Sequence, residues 1–216
     1  MMKKGKTICF SIGTALLSAA LFLVLCNFYQ DRKSGEIAQR ILPDLKAIIT
    51  ENNTEGVGEP YEAMIQDDLF SEYEASIEHE TSEQAVELDG NAYIGIISVP
   101  SLEIELPVLS RWSYPDLKIS PCRYKGTAAE GNMIIAAHNY RSHFGRLNEL
   151  SGGEEIIFTD SNGKIYRYEV TLVEEIRGTD AESMESGSAE NWDLTLFTCT
   201  LSGRSRVTVR AVSLIK

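Results

Sequence analysis

Apolar residues along this chain fall into three regimes. From Thr7 to Tyr29 (TICFSIGTALLSAALFLVLCNFY) they form a run of 23 residues without a charge. A helix needs about 20 such residues to cross a bilayer. Between 34 and 50 they recur at Ile37, Ile41, Leu45 and Ile48. That is the three-and-four spacing of an amphipathic helix, and Pro43 sits where it kinks or interrupts that helix. From Asn91 onward short apolar runs alternate with turn residues, at 93–99, 104–109, 132–137, 155–159, 165–176, 193–199 and 206–214. Runs of this length bounded by turn formers predict strands. Asp160-Ser161-Asn162-Gly163 predicts a hairpin turn between two of them. Only 140–150 reads as helical in this region, with Phe144, Leu147 and Leu150 on one face. Many strands with one short helix predict a mainly β domain, closed or sandwich-like, and closure removes exposed strand edges.

Charge sharpens the division of the chain. The net charge of −12 is unevenly spread. Residues 51–90 hold thirteen Asp/Glu and no Lys or Arg, whereas 91–216 are nearly balanced, with thirteen Lys/Arg against sixteen Asp/Glu. The acidic segment, with turn formers at Gly56, Gly58 and Pro60, reads as a solvated spacer. His79, among its glutamates, reads as an ordinary surface histidine. Nothing offers the basic face that nucleic acid requires. Lys3, Lys4 and Lys6 precede the apolar run, which predicts a cytoplasmic N-terminus and an extracellular body. No small-x-small cleavage site follows the run, so it reads as an uncleaved single-pass signal anchor in the cell membrane. The expected organisation is an anchor over 1–30, a helical and acidic spacer over 31–90 and a β domain over 91–216.

The candidate chemistry is concentrated in two segments of that domain. In MIIAAHNYRSHFGRLNEL (133–150) a strand ends at Ala137 and His138 follows at its tip. In TLFTCTLSGRSRVTVRA (195–211) a strand runs into Cys199, a turn follows around Gly203, and a second strand starts near Arg206. Cys199 and Arg206 are thereby expected at the same end of adjacent strands. Each residue alone also fits a bland role: the cysteine as a small buried hydrophobe, the histidine as structural, the arginine as a surface group. Of the other cysteines, Cys9 and Cys26 lie in the apolar run, and a Cys122–Cys199 disulfide stays open in an oxidising compartment. The three histidines (His79, His138 and His143) form no metal-ligand spacing.

Taken together, these segments resemble the sortase family. TLFTC at 195–199 is similar to the family's TLxTC signature, RVTVRA at 206–211 to its arginine-led final strand, and AAHN at 136–139, with F-x-x-L-x-x-L at 144–150, to its histidine segment. YIGIISVPSLEIELPVL (93–109) resembles the opening strands with their I-G-x-I-x-I-P and L-P-V elements. Ala137 stands where many relatives have Gly. Arg204, two residues before Arg206, is the alternative if the register after the cysteine slips. His143 reads as structural or substrate-lining.

The resemblance implies a closed β-barrel of about seven to eight strands with short helices, behind a transmembrane helix. It implies a cysteine transpeptidase with Cys199 as nucleophile, His138 as acid/base and Arg206 as charge stabiliser, and it places Thr198, Ala137 and Arg204 near substrate. The implied substrate is an LPxTG-like sorting signal cleaved between Thr and Gly, with an amine of a cell-wall precursor or a pilin subunit as acceptor. No cofactor is implied. Calcium, used by some relatives, gains no specific support from Glu169, Glu174 and Glu175. The loop at 177–192 is the expected recognition element. Two alternatives are a cysteine peptidase that only hydrolyses its acyl-enzyme and a non-catalytic surface β domain.

Overall fold

The computed structural model describes residues 2–55, 84–185 and 191–214. Most of the expected acidic spacer, including His79, lies outside these residues. One long helix, α1 (Met2–Glu55), is followed by strands β1 (Val86–Leu88), β2 (Asn91–Val99), β3 (Ile104–Leu109), β4 (Cys122–Lys125), β5 (Met133–Ala137), β6 (Glu155–Asp160) and β7 (Ile165–Arg177). A short helix, α2 (Ala181–Glu185), then precedes β8 (Leu194–Cys199) and β9 (Ser205–Ser213). Strand order is β1-β2-β3-β4-β5-β8-β9-β7-β6, and β6 pairs back onto β2, so β2 to β9 close an eight-stranded barrel with β1 as an appended edge. The closing seam depends on Gly95: a Cβ there would lie 2.1 Å from the Thr159 carbonyl oxygen. All seven expected runs form strands. The two additional strands, β1 and β4, are three and four residues long, too short to show alternation.

Burial follows the period-two geometry of strands, but with both faces of the central ones covered. All five residues of β5, MIIAA, are buried. Met133, Ile135 and Ala137 join the barrel interior with Leu194, Leu196 and Val209. Ile134 and Ala136 face an outer apolar layer. That layer is completed by α1, whose Ile41, Leu42, Leu45 and Ile49 pack with Tyr93, Ile96 and Leu109. The segment from 31 to 55, expected to begin a spacer, is therefore part of the folded body. Pro43 lies inside α1 without ending it. It is solvent-exposed between buried Leu42 and Leu45, and this packing holds the helix across a position lacking an N–H. The N-terminal part of α1 is apolar and exposed, with an 18-residue window of mean hydropathy 1.9, long enough to cross a membrane.

The 140–150 segment differs from expectation. Phe144, Leu147 and Leu150 are buried as expected, but the segment is a series of turns ending in a 3-10 helix at Leu147–Glu149. The Phe144 N–H reaches back to the His138 carbonyl, and those of His143 and Gly145 both reach Tyr140. The Arg141 and Ser142 N–H groups go to the Asp31 carboxylate of α1 at 3.1 and 3.0 Å. Donors committed to these partners are not available for a regular i to i−4 ladder.

Candidate functional site

The sheet register brings the expected trio to one end of three adjacent strands. β5 and β8 run parallel, with Ala137 opposite Thr198. The next residue of each chain, His138 and Cys199, therefore emerges at the same end. β8 and β9 run antiparallel, with Cys199 directly opposite Arg206, a separation of about 5 Å between Cα atoms. All three line a cleft of about 230 Å3. Ala137 also lines it, whereas Arg204 lies exposed on the turn before β9 and outside it. Thr198 is buried, and its hydroxyl donates to the Ala137 carbonyl at 2.9 Å. Thr198 thus ties the cysteine strand to the histidine strand.

Each member of the trio has its own local setting. Cys199 is partly exposed and its thiol is free. The Nε2 atom of His138 is buried with no hydrogen-bond partner among the described residues, and the ring packs on Tyr140 with centroids 4.8 Å apart. Burial, and secondarily the charge of Lys118, hold the His138 pKa below its ordinary value, which favours neutral imidazole at pH 7. A buried unpaired nitrogen at a cleft wall is a group awaiting a partner. The Arg206 Nη1 donates to the Gly203 and Ser205 carbonyls at 3.2 and 3.1 Å, which fixes the guanidinium without neutralising it. Gly178 makes room for it, since a Cβ there would lie 2.9 Å from Nη1.

The cleft walls carry features that sequence reasoning missed. One wall is aromatic. Trp112 contacts Tyr114 and Tyr124 at centroid distances of 5.1 and 6.1 Å, and Tyr124 meets Phe197 edge-on at 5.5 Å. Trp112 and Tyr114 remain partly or largely exposed, offering ring faces to a ligand. A further wall comes from 177–184, part of the segment expected as the recognition element, and includes residues of α2. Glu185 of α2 accepts from Tyr124 at 3.0 Å and from Lys125 at 2.7 Å. Beneath α2 lies Arg210, 4% exposed. It donates to the Met184 and Ser183 carbonyls at 2.7 and 2.8 Å, to Thr195 at 2.9 Å and to Glu174 at 3.1 Å, and it lies over the Trp192 ring. The sequence shows Arg210 only as an arginine inside a strand. The useful signal was its alternation with Val209 and Ala211, which turns it away from the barrel interior and under the loop.

The remaining candidates have structural settings. His143 is fully buried and its Nε2 lies 3.0 Å from the Ser34 hydroxyl of α1. That hydroxyl donates to the Lys118 carbonyl at 2.6 Å, so His143 donates to Ser34 from Nε2. Burial first, then the nearby His138, push the His143 pKa down to about 4. Cys122 is buried and free, its thiol 3.4 Å from the Ser120 carbonyl. Burial pushes its pKa up to about 12, which makes it a poor nucleophile. Among the described residues no group of three His, Cys, Asp or Glu side chains is placed to hold a metal.

Comparisons with known proteins bear on the family and the fold. A protein-family model described as a sortase domain matches residues 97–214. Sortase A of Bacillus anthracis is 32% identical over 117 residues, covering 52% of this chain and 54% of that protein. Sortase A of Listeria monocytogenes is 28% identical over 120 residues, covering 53% of each. The chain thus spans about half the length of the curated relatives it matches. Sortase C of Streptococcus pneumoniae superposes with a TM-score of 0.55 at 19% identity, over 84% of this chain and 97% of that one, which supports the shared fold.

Proposed function

The chain belongs to the sortase family, and from that premise we propose that it is a membrane-anchored cysteine transpeptidase acting through Cys199, His138 and Arg206. The observation that carries the reading is the strand register: Ala137 opposite Thr198 and Cys199 opposite Arg206 bring a thiol, an imidazole and a free guanidinium to one cleft.

The chemistry follows from what each group can do. In the minor form in which the Cys199 proton has passed to His138, the thiolate attacks the scissile carbonyl and the imidazolium gives that proton to the departing amine, leaving a thioester. The now neutral imidazole takes a proton from the incoming amine as that amine attacks the thioester. A new amide forms and the thiolate is released. Arg206 cannot lose its proton under these conditions. Its guanidinium is fixed by two carbonyls through Nη1, so the remaining donors are directed at substrate carbonyls or the developing oxyanion.

The substrate is an LPxTG-like sorting signal cut between Thr and Gly, its Leu-Pro portion lying along Trp112, Tyr114, Tyr124 and Phe197. The acceptor is an amine of a cell-wall precursor or pilin subunit. The apolar part of α1 anchors the enzyme with its N-terminus in the cytoplasm and the barrel outside, where secreted substrates emerge.

The test is turnover of an LPxTG peptide with a primary amine in excess. The expected result is an amide product for the wild type and none for Cys199→Ala. His138→Ala should lose at least about 10²–10⁴-fold. Arg206→Ala should be comparably impaired and Arg206→Lys barely rescued, because an ammonium lacks the planar fork. Arg204→Ala should stay near wild type. Hydrolysis alone in excess amine would leave a peptidase in place of a transpeptidase. Unchanged turnover by Cys199→Ala would overturn the assignment.

A further inference from the structure

A second cavity, of about 660 Å3, opens where the apolar part of α1 meets the barrel. Phe22, Leu25, Tyr29 and Ile37 line its helix side, and Ile119 and Tyr140 line its barrel side. Among the described residues its only charged lining groups are Lys33 and Lys118, and no carboxylate lines it. Both lysines are exposed, and neither has an ion-pair partner among the described residues. They are held at one contact, because the hydroxyl of Ser34, next to Lys33, donates to the carbonyl of Lys118 itself.

The position of this cavity along α1 bears on what fills it. Lys33 lies four residues past Tyr29, where the uncharged run ends, about 6 Å further at 1.5 Å per residue. The polar layer of one leaflet is roughly 5–8 Å thick. Both lysines therefore lie at headgroup level when the apolar run spans the bilayer. Leu25 and Phe22, on the other side of Tyr29, are about 6 and 10 Å down into the hydrocarbon.

We propose that this cavity is a binding site for an anionic phospholipid, with an acyl chain lodged between α1 and Ile119 and the headgroup phosphate held by Lys33 and Lys118. An apolar slot with a paired cationic end matches an acyl chain joined to a phosphate. A free phosphate leaves the apolar lining uncovered. The site adjoins the catalytic cleft without belonging to it. Leu117 lines that cleft and Lys118 the lipid cavity, while Tyr140 lines the lipid cavity and packs on His138. The assignment goes beyond the transpeptidase reading and stands independently of it.

Native mass spectrometry of the full-length protein in detergent tests it, with phosphatidylglycerol or phosphatidylcholine of identical acyl chains added. The expected result is one phosphatidylglycerol per chain, retained at collision energies that strip phosphatidylcholine. Lys33→Gln/Lys118→Gln should weaken that retention at least tenfold, whereas Lys125→Gln, which alters a lysine that does not line the cavity and is paired with Glu185, should not. Equal retention of the two lipids, or a double variant that binds like the wild type, would overturn the proposal. So would a dimer or a peptide adduct appearing in place of bound lipid. None of these readouts depends on peptide turnover.

Discussion

At the scale of single residues, one half-buried and one fully buried histidine have contrasting settings. His138 faces the cleft with an unpartnered Nε2, whereas His143 spends its Nε2 on Ser34. The depressed pKa of His143 has a consequence for stability. Its folded value, about 4, lies below the ordinary 6.5, so between those values the unfolded chain binds the proton more readily. The contribution of neutral His143 is complete above about pH 6.5 and is lost as pH falls toward 4, by roughly 3 kcal/mol at about 1.36 kcal/mol per pH unit. Thermal unfolding between pH 7 and 4.5 should show a steep loss of Tm in the wild type and a flatter one in His143→Asn, which lacks the titrating ring. Parallel slopes would show that His143 does not dominate acid lability. By contrast, the role expected of Thr198 near substrate meets a hydroxyl already committed to the Ala137 carbonyl.

At the scale of elements, two attachments shape the site from outside the barrel. The first is α1. Asp31 accepts from the backbone of Arg141 and Ser142 and from the Ser142 hydroxyl, fixing the segment that follows His138. Leu45 is fully buried in the layer beneath the helix. Leu45→Ala should cost about 2–5 kcal/mol by the usual cavity cost, and Asp31→Ala about 1–3 kcal/mol for donors left unpaired. Denaturant unfolding of a chain beginning at Gln30 measures both. Loss of less than 0.5 kcal/mol in both would mean that α1 rests on the barrel without supporting it.

The second attachment is Arg210 beneath α2. Its removal leaves the Ser183 and Met184 carbonyls and Glu174 without their donor, a loss on the order of 3 kcal/mol for a buried charged network. Because Arg210 does not line the cleft, Arg210→Ala should raise the KM for peptide more than it lowers kcat. A fall confined to kcat would place Arg210 in the chemistry itself.

At the scale of the whole molecule, one continuous helix joins an apolar membrane-length stretch to the barrel. The helix that carries the membrane-length stretch therefore also buttresses the outer core of the barrel. Full-length protein should sediment with membranes and resist alkaline carbonate, and Cys199 in intact cells should react with a membrane-impermeant maleimide. Recovery in the soluble fraction would contradict the anchor, and protection of Cys199 would reverse the orientation. Closure of β6 onto β2 at Gly95 completes the barrel around a single interior core, whose residues come from strands spread over the whole domain.

What the sequence by itself determined is what lies in short-range pattern. The uncharged apolar run, the short strand runs between turn formers and the Cys199–Arg206 spacing are all readable because neighbouring residues specify them. Phe144, Leu147 and Leu150 were legible as buried for the same reason, although the turns that bury them were not. The tertiary structure alone decided where the second half of α1 docks, which donors Asp31 and Ser34 satisfy, and what lies over Arg210. Those contacts join residues far apart in the chain, 84 for Ser34 to Lys118 and 111 for Asp31 to Ser142. An amphipathic helix face carries no mark of which surface will cover it, and an Asp after an apolar run has the same local pattern whether it is solvated or caps a distant loop. The choice is made by shape and hydrogen-bond complementarity between separate elements, which exists only once the barrel has closed.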